Sequence, residues 1–176
     1  GDVYKRQGLD SERRNERLRV MADIAAQRLH DVDQALALLQ EIEPRNAAEA
    51  ASATERMIQV ALSGGRQAMV ADLLTTVVDA AVDDYAAVEA LSRRAQARAA
   101  AGDLDGAMED LDLALQRGGD ALRLAALRTE LADQAGRMDV VVSALEAWAI
   151  ELPVGEARAA VLFRLARRLS RAEREE

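Results

Sequence analysis

His30 is the only histidine in this 176-residue chain, and it is the side chain with the widest chemical range. A histidine can serve as a general base or as a metal ligand, but a zinc site needs further histidine or cysteine ligands. The chain has no cysteine and no second histidine. We therefore interpret His30 as a turn residue, at a position where other turns of this chain carry glycine.

A run of carboxylates between residues 103 and 112 is the next candidate for chemistry. A calcium loop needs oxygen ligands at alternating positions, a central glycine and a distant bidentate glutamate. Asp103, Asp105 and Gly106 supply only the beginning of that pattern. The sequence therefore favours helix capping and a solvated helix face for Asp103, Asp105, Glu109, Asp110 and Asp112.

No other motif indicates catalysis. A phosphate-binding loop needs a lysine after its glycines. No lysine follows the glycines of the segment Gly64-Gly65-Arg66. Serines and threonines are present, but no histidine is placed to activate them. We expect a chain that is not an enzyme, with no catalytic residue, no cofactor, no metal and no small-molecule substrate.

The last predicted helix carries many arginines, at Arg158, Arg164, Arg167, Arg168, Arg171 and Arg174. Such a helix can bind RNA or a phosphorylated partner, but glutamates at Glu156, Glu173, Glu175 and Glu176 offset much of the charge. The whole chain has a formal net charge of −8, which opposes a broad nucleic-acid surface. We interpret the arginines as a solvated face.

Two aromatic residues could anchor a ligand. Trp148 and Phe163 both lie on apolar helix faces, so we predict that they pack between the eighth and ninth helices.

These residues depend for their positions on a helix–turn–helix unit, seen most clearly in residues 91–119. Gly102 suits the end of one helix, and Asp103 suits the cap of the next. The second helix has an apolar stripe at helical spacing, formed by Leu104, Ala107, Met108, Leu111, Ala114 and Leu115. One such hairpin buries too little surface to fold alone, which predicts a stack of them.

The same pattern predicts an all-α chain of nine helices. We place them at about 11–29, 32–42, 46–62, 66–80, 84–101, 104–117, 121–135, 138–152 and 155–172. Caps are expected at Asn46, Asp83, Asp103 and Asp120, and residues 173–176 are expected to form a truncated turn.

The first residues look foreign to the rest of the chain. The hexapeptide at residues 2–7 resembles the translation of a transposase-end adapter used in sequencing libraries, and it contains the only lysine, Lys5. We therefore predict that residues 1–10 form a non-native or disordered leader. Repeats would then continue beyond both ends, and exposed repeat faces would favour self-association.

The second helices repeat in register. A small or β-branched residue lies four positions before a leucine in each of them, in the pairs Ala35 and Leu39, Val70 and Leu74, Ala107 and Leu111, and Val141 and Leu145. The steps between these pairs are 35, 37 and 34 residues, and the turns at His30, Gly65, Gly102 and Gly136 recur with them.

A helix–turn–helix period near 34 resembles the tetratricopeptide repeat over residues 11–172. The resemblance is imperfect. Val70 and Val141 replace alanine, Thr129 and Trp148 stand at positions that are usually small, and Pro44 comes early. Another α-solenoid therefore remains as an alternative.

The resemblance implies a right-handed α–α superhelix of about four and a half repeats, whose first helices line a concave groove. The groove positions carried over from the family are Arg19, Asp23, Glu55, Gln59, Ser92, Gln96, Glu130, Asp133, Arg167 and Arg171. Chaperone-binding members hold a terminal carboxylate with lysine and asparagine. This groove set contains neither residue, so we expect a different ligand.

The resulting hypothesis is an interaction scaffold from a longer bacterial repeat protein, which binds a peptide or partner protein. Two alternatives remain: the regulatory or sensor arm of a larger multidomain enzyme or signalling protein, and helical-repeat RNA binding through the last helix. No membrane segment is expected in this stretch, because no apolar run approaches the roughly 20 residues that a bilayer needs.

Overall fold

A computed structural model describes the backbone of residues 2–175 and the side chains of residues 10–170. Within this range the chain forms nine helices and no strand, which confirms the all-α prediction. The helices are α1 (Asp2–Gln27), α2 (Val32–Gln40), α3 (Ala47–Ser63), α4 (Gln67–Asp79), α5 (Asp84–Ala100), α6 (Leu104–Gln116), α7 (Ala121–Gln134), α8 (Met138–Glu151) and α9 (Glu156–Glu175). None of the described helices is both long and apolar enough to cross a membrane.

The chain divides into two compact units, residues 1–73 and residues 74–176. In the first unit α1 packs against α2, and α2 packs against α3. The contact face of α1 is a stripe at helical spacing, formed by Leu18, Ala22 and Ala25, all of which are buried. Within this unit α1, α2 and α3 therefore pack in sequence order through their apolar faces.

The second unit contains the α5–α6 hairpin, the α7–α8 hairpin and α9, which packs against α8. One apolar cluster joins α5, α6 and α7 through residues that include Leu91, Leu111 and Leu124. A second cluster joins α7, α8 and α9 through residues that include Leu145 and Val161. Packing of each hairpin on the following helix is consistent with a helical repeat.

Helix starts follow the capping residues of the sequence. The side chains of Asn46, Asp83, Asp103 and Asp120 each accept a hydrogen bond from the backbone N–H three residues on, at 2.7–2.9 Å. All four predicted caps are confirmed, and Asp31 caps α2 in the same way. Glu49 departs from a true capping box, because its carboxylate accepts the N–H of Arg45 instead of that of Asn46.

The predicted turns are also confirmed. His30 has a φ of 54°, in the left-handed region that the glycines of the other turns occupy. At Gly102 the φ is 92°, and the N–H groups of Gly102 and Asp103 donate to the carbonyls of Ala99 and Arg98. These two bonds form a Schellman motif, which satisfies the last free carbonyls of α5.

Replacing Gly102 with alanine should lower the free energy of unfolding by about 1–2 kcal/mol, because an L-residue is strained in the left-handed region. A Cβ at Gly102 would meet no atom within 4 Å, so the cost comes from the backbone alone. Gly155→Ala is the matched control, because that position is equally open and its φ is not left-handed. Urea denaturation measures both, and equal stabilities for the two variants would contradict the assignment.

The two ends of the chain differ from the sequence prediction. α1 begins at Asp2 instead of near Ser11, so the helix includes residues 2–10, while their assignment to a non-native leader stays a prediction. α9 continues to Glu175, so residues 173–175 are helical and not a truncated turn. Neither stretch contains proline, and extending an existing helix avoids the cost of nucleating a new one. Residues 1 and 176 lie outside the described residues, and the foreign origin of residues 1–7 stays a prediction.

Candidate interaction surface

Ion pairs join odd-numbered helices within each unit; these helices are called here the first helices, because they hold the first position of each predicted repeat. In the second unit Arg123 of α7 binds Glu89 of α5 at 2.5 Å, and Arg168 of α9 binds Asp133 of α7 at 2.5 Å. In the first unit Arg56 of α3 binds Asp23 of α1. Successive first helices therefore lie side by side within each unit.

The spacing of these pairs matches the sequence repeat. The two partners are 33 residues apart for Asp23 and Arg56, 34 for Glu89 and Arg123, and 35 for Asp133 and Arg168. In each pair the carboxylate comes first and the arginine follows one period later. The ion pairs therefore join one repeat to the next.

In the Glu89–Arg123 pair each partner favours the ionised form of the other. The guanidinium of Arg123 holds the pKa of Glu89 below its ordinary value, and the Glu89 carboxylate raises the pKa of Arg123. Exposed pairs of this kind typically contribute only about 0.2–1 kcal/mol each to stability. We therefore regard them as markers of helix register more than as a source of stability.

The predicted groove residues fall into four groups by burial. Gln59, Gln96, Glu130 and Arg167 are exposed; Arg19, Asp23, Glu55 and Asp133 are half-buried; Ser92 is buried; and the side chain of Arg171 lies outside the described residues. Gln96, Glu130 and Arg167 are the exposed members in the second unit, one on each of α5, α7 and α9.

Ser92 does not fit the groove prediction. It is buried, and its hydroxyl donates to the backbone carbonyl of Val88 at 2.8 Å. α5 packs against both α6 and α7, so more of its circumference is covered than a single-face pattern indicates. Asp23 and Asp133 are already engaged by Arg56 and Arg168, so a ligand would have to compete for their carboxylates.

An ion pair inside the α5–α6 hairpin was missed by the sequence interpretation. Asp110 is fully buried and accepts from both Nε and Nη2 of Arg94, at 2.9 and 2.6 Å. Arg98 donates to the same carboxylate at 3.1 Å, and Thr75 accepts from Nη1 of Arg94 at 3.2 Å. Asp110 is therefore not on the solvated face to which the sequence assigned it.

This ion pair is fully hydrogen-bonded, which indicates a structural role. Every buried side-chain nitrogen and oxygen of the described residues has a partner. The fork of Arg94 and the Asp110 carboxylate meet in a bidentate arrangement, which fixes orientation as well as charge. The sequence did contain a signal for the burial of Asp110. The residue falls between Ala107 and Leu111, on the apolar face of α6.

The two aromatic predictions had different outcomes. Trp148 is half-buried and packs against the cluster of α7, α8 and α9 as predicted. Phe163 is 65% exposed, so the prediction that it is packed is wrong. α9 contacts α8 on the face of Val161 and Leu165, and Phe163 projects from a different face.

No group of three or more His, Asp or Glu side chains in residues 10–170 is placed to hold a metal ion. Comparisons with protein-family models, with curated proteins and with solved structures find no match to this chain.

Proposed function

We propose that this chain is an interaction scaffold of the tetratricopeptide type, a right-handed superhelix that binds a peptide or partner protein along its first helices. The observation that carries the proposal is the set of ion pairs one repeat apart, which align the first helices within each unit. In the second unit these helices expose Gln96, Glu130 and Arg167.

The spacing of these helices favours an extended peptide, and the charges of their exposed side chains suggest its sequence. Packed helices lie about 8–10 Å apart, and an extended chain advances about 3.3 Å per residue. Successive first helices would therefore meet every third residue of a bound peptide. Glu130 favours a basic residue near the middle of that peptide, and Arg167 favours an acidic residue further along it.

The probe is a peptide selected from a random display library on the immobilised chain. Its affinity should fall at least about tenfold when Gln96 and Glu130 are both changed to arginine. The change adds two positive side chains and removes the carboxylate that faces the ligand. Isothermal titration of the purified variant with that peptide measures the loss.

The matched control changes the same two residue types on α6, as Glu109→Arg with Gln116→Arg, where both side chains are exposed on a second helix. This control should keep the affinity of the unmodified chain. Equal affinity for both double variants would mean that the first helices do not carry the binding surface.

A further inference from the structure

An open pocket lies between α6, α7 and α8 in the second unit, with a volume of about 250 Å³. We call it the α6–α8 pocket. Its apolar lining includes Leu111, Leu115, Leu124, Ala147 and Ile150. Leu115 and Ile150 are strongly exposed, at 48% and 72%. The pocket is thus an apolar depression on the surface and not part of the closed core.

The size and lining of the pocket indicate its occupant. Pockets for small ligands usually enclose about 300–1,000 Å³ and carry several convergent polar groups. The α6–α8 pocket is smaller, and its charged members are Asp112, Arg128 and Glu151. Arg128 binds Asp112, which leaves the Glu151 carboxylate in excess. This arrangement suits one apolar side chain accompanied by a positive charge.

A matching protrusion lies on α9. Leu162, Phe163 and Leu169 form what we call the α9 stripe, with 45%, 65% and 43% of their surfaces exposed. Arg164 and Arg167 stand beside the stripe, both exposed. Neither arginine makes an ion pair within residues 10–170. The stripe therefore combines an exposed aromatic ring with two positive charges that have no ion-pair partner among the side chains of residues 10–170.

The position of Phe163 in the repeat indicates that no helix packs over the stripe as α6 packs on α5 or α8 packs on α7. Ala95 and Thr129, which are 34 residues apart, are almost completely buried in the α5–α6 and α7–α8 hairpins. The next position in that register is Phe163. A phenyl ring cannot enter the space of an alanine or threonine side chain without forcing the helices apart.

We propose that the α9 stripe of one copy docks into the α6–α8 pocket of a second copy of this chain. Phe163 fills the apolar depression, and Arg164 or Arg167 meets the carboxylate of Glu151. The net charge of −8 supports this choice, because the positively charged part of α9 is complementary to the acidic surface of another copy.

The two surfaces differ, so the contact is heterologous. Each copy offers one stripe and one pocket, and a head-to-tail contact of this kind continues into open chains unless its rotation closes a ring. Association is therefore expected to grow with concentration instead of stopping at a dimer.

Sedimentation velocity on the full chain over a wide concentration range tests the proposal. Phe163→Glu replaces the aromatic ring of the stripe by a charge, and Ile150→Glu places a charge in the pocket. Each variant should weaken self-association at least about tenfold, because a buried unpaired carboxylate is costly. The matched control, Val82→Glu, adds the same charge at a residue that is 92% exposed and belongs to neither surface. It should assemble like the unmodified chain.

An equimolar mixture of Phe163→Glu and Ile150→Glu gives the sharpest result. The first variant keeps an intact pocket and the second keeps an intact stripe, so one productive contact remains. The mixture should form a 1:1 dimer that does not grow further, at concentrations where each variant alone is monomeric. Circular dichroism of each variant checks that the helices are retained.

Three results would overturn the proposal. One is an unmodified chain that stays monomeric throughout. Another is an Ile150→Glu variant that still self-associates while Phe163→Glu does not, which would indicate that two α9 stripes pair with each other. The third is a monomeric chain that binds vesicles of anionic lipid through α9, which would assign the stripe to a membrane surface.

Discussion

Replacing Asp110 with alanine should lower the free energy of unfolding by about 3–5 kcal/mol, the range for removing one partner of a buried ion pair. Arg94 would lose both of its bonds to the carboxylate, and Thr75 would be its remaining hydrogen-bond partner among the described residues. A charged guanidinium without its counter-ion in the interior is the source of the cost. Urea denaturation followed by the fluorescence of Trp148 measures it, because that residue lies in the same unit.

Asp112→Ala is the matched control. Asp112 is also an aspartate of α6 that binds an arginine, but its side chain is 55% exposed. Loss of an exposed pair should cost less than about 1 kcal/mol. A similar loss for both variants would show that burial does not set the strength of the Arg94–Asp110 pair.

A double variant separates the charge from the packing. Arg94→Met with Asp110→Leu replaces both charges by apolar side chains of similar length. This exchange is often neutral or stabilising in buried pairs, so the double variant should be much more stable than Asp110→Ala. If it is as unstable as the single variant, the pair contributes through its geometry and not through the balance of charge.

Leu111→Ala should lower the free energy of unfolding by about 2–5 kcal/mol, through lost apolar burial and the cavity that remains. Leu111 is 1% exposed and belongs to the cluster that joins α5, α6 and α7. The cost should fall near the upper end of the range, because three helices converge on this side chain and cannot all move inward. The same urea titration measures it.

Leu113→Ala is its control on the same helix. Leu113 is 44% exposed, so its truncation should cost well under half as much as that of Leu111. Because the two leucines share type and helix, a difference between them reports burial alone. Equal losses would contradict the packing of α6 described here.

The sequence alone determined the local features of this fold. The caps at Asp83, Asp103 and Asp120 and the turns at His30 and Gly102 follow from short-range geometry. Each depends on one residue and its neighbours within about one helical turn, so the sequence pattern contains the necessary information. The spacing of the leucines likewise set the all-helical architecture.

The partners of the charged residues were decided only by the tertiary structure. Asp110 looked like a member of a solvated acidic run, yet it is buried against Arg94, which lies 16 residues away on another helix. Ser92 looked accessible, yet α5 is covered on two sides. Periodicity shows that a helix has an apolar face, but it does not show how wide an arc the neighbouring helices cover.

The same limit applies to Phe163 and to the predicted groove. An apolar face predicts burial, but whether a face is covered depends on which helices pack against it, and α8 covers only one side of α9. Asp23 and Asp133 were predicted as ligand contacts, and the structure pairs them with arginines one repeat later. Helix caps and turns can be predicted from neighbouring residues in the sequence. Side-chain exposure and ion pairing depend on residues that only folding brings together.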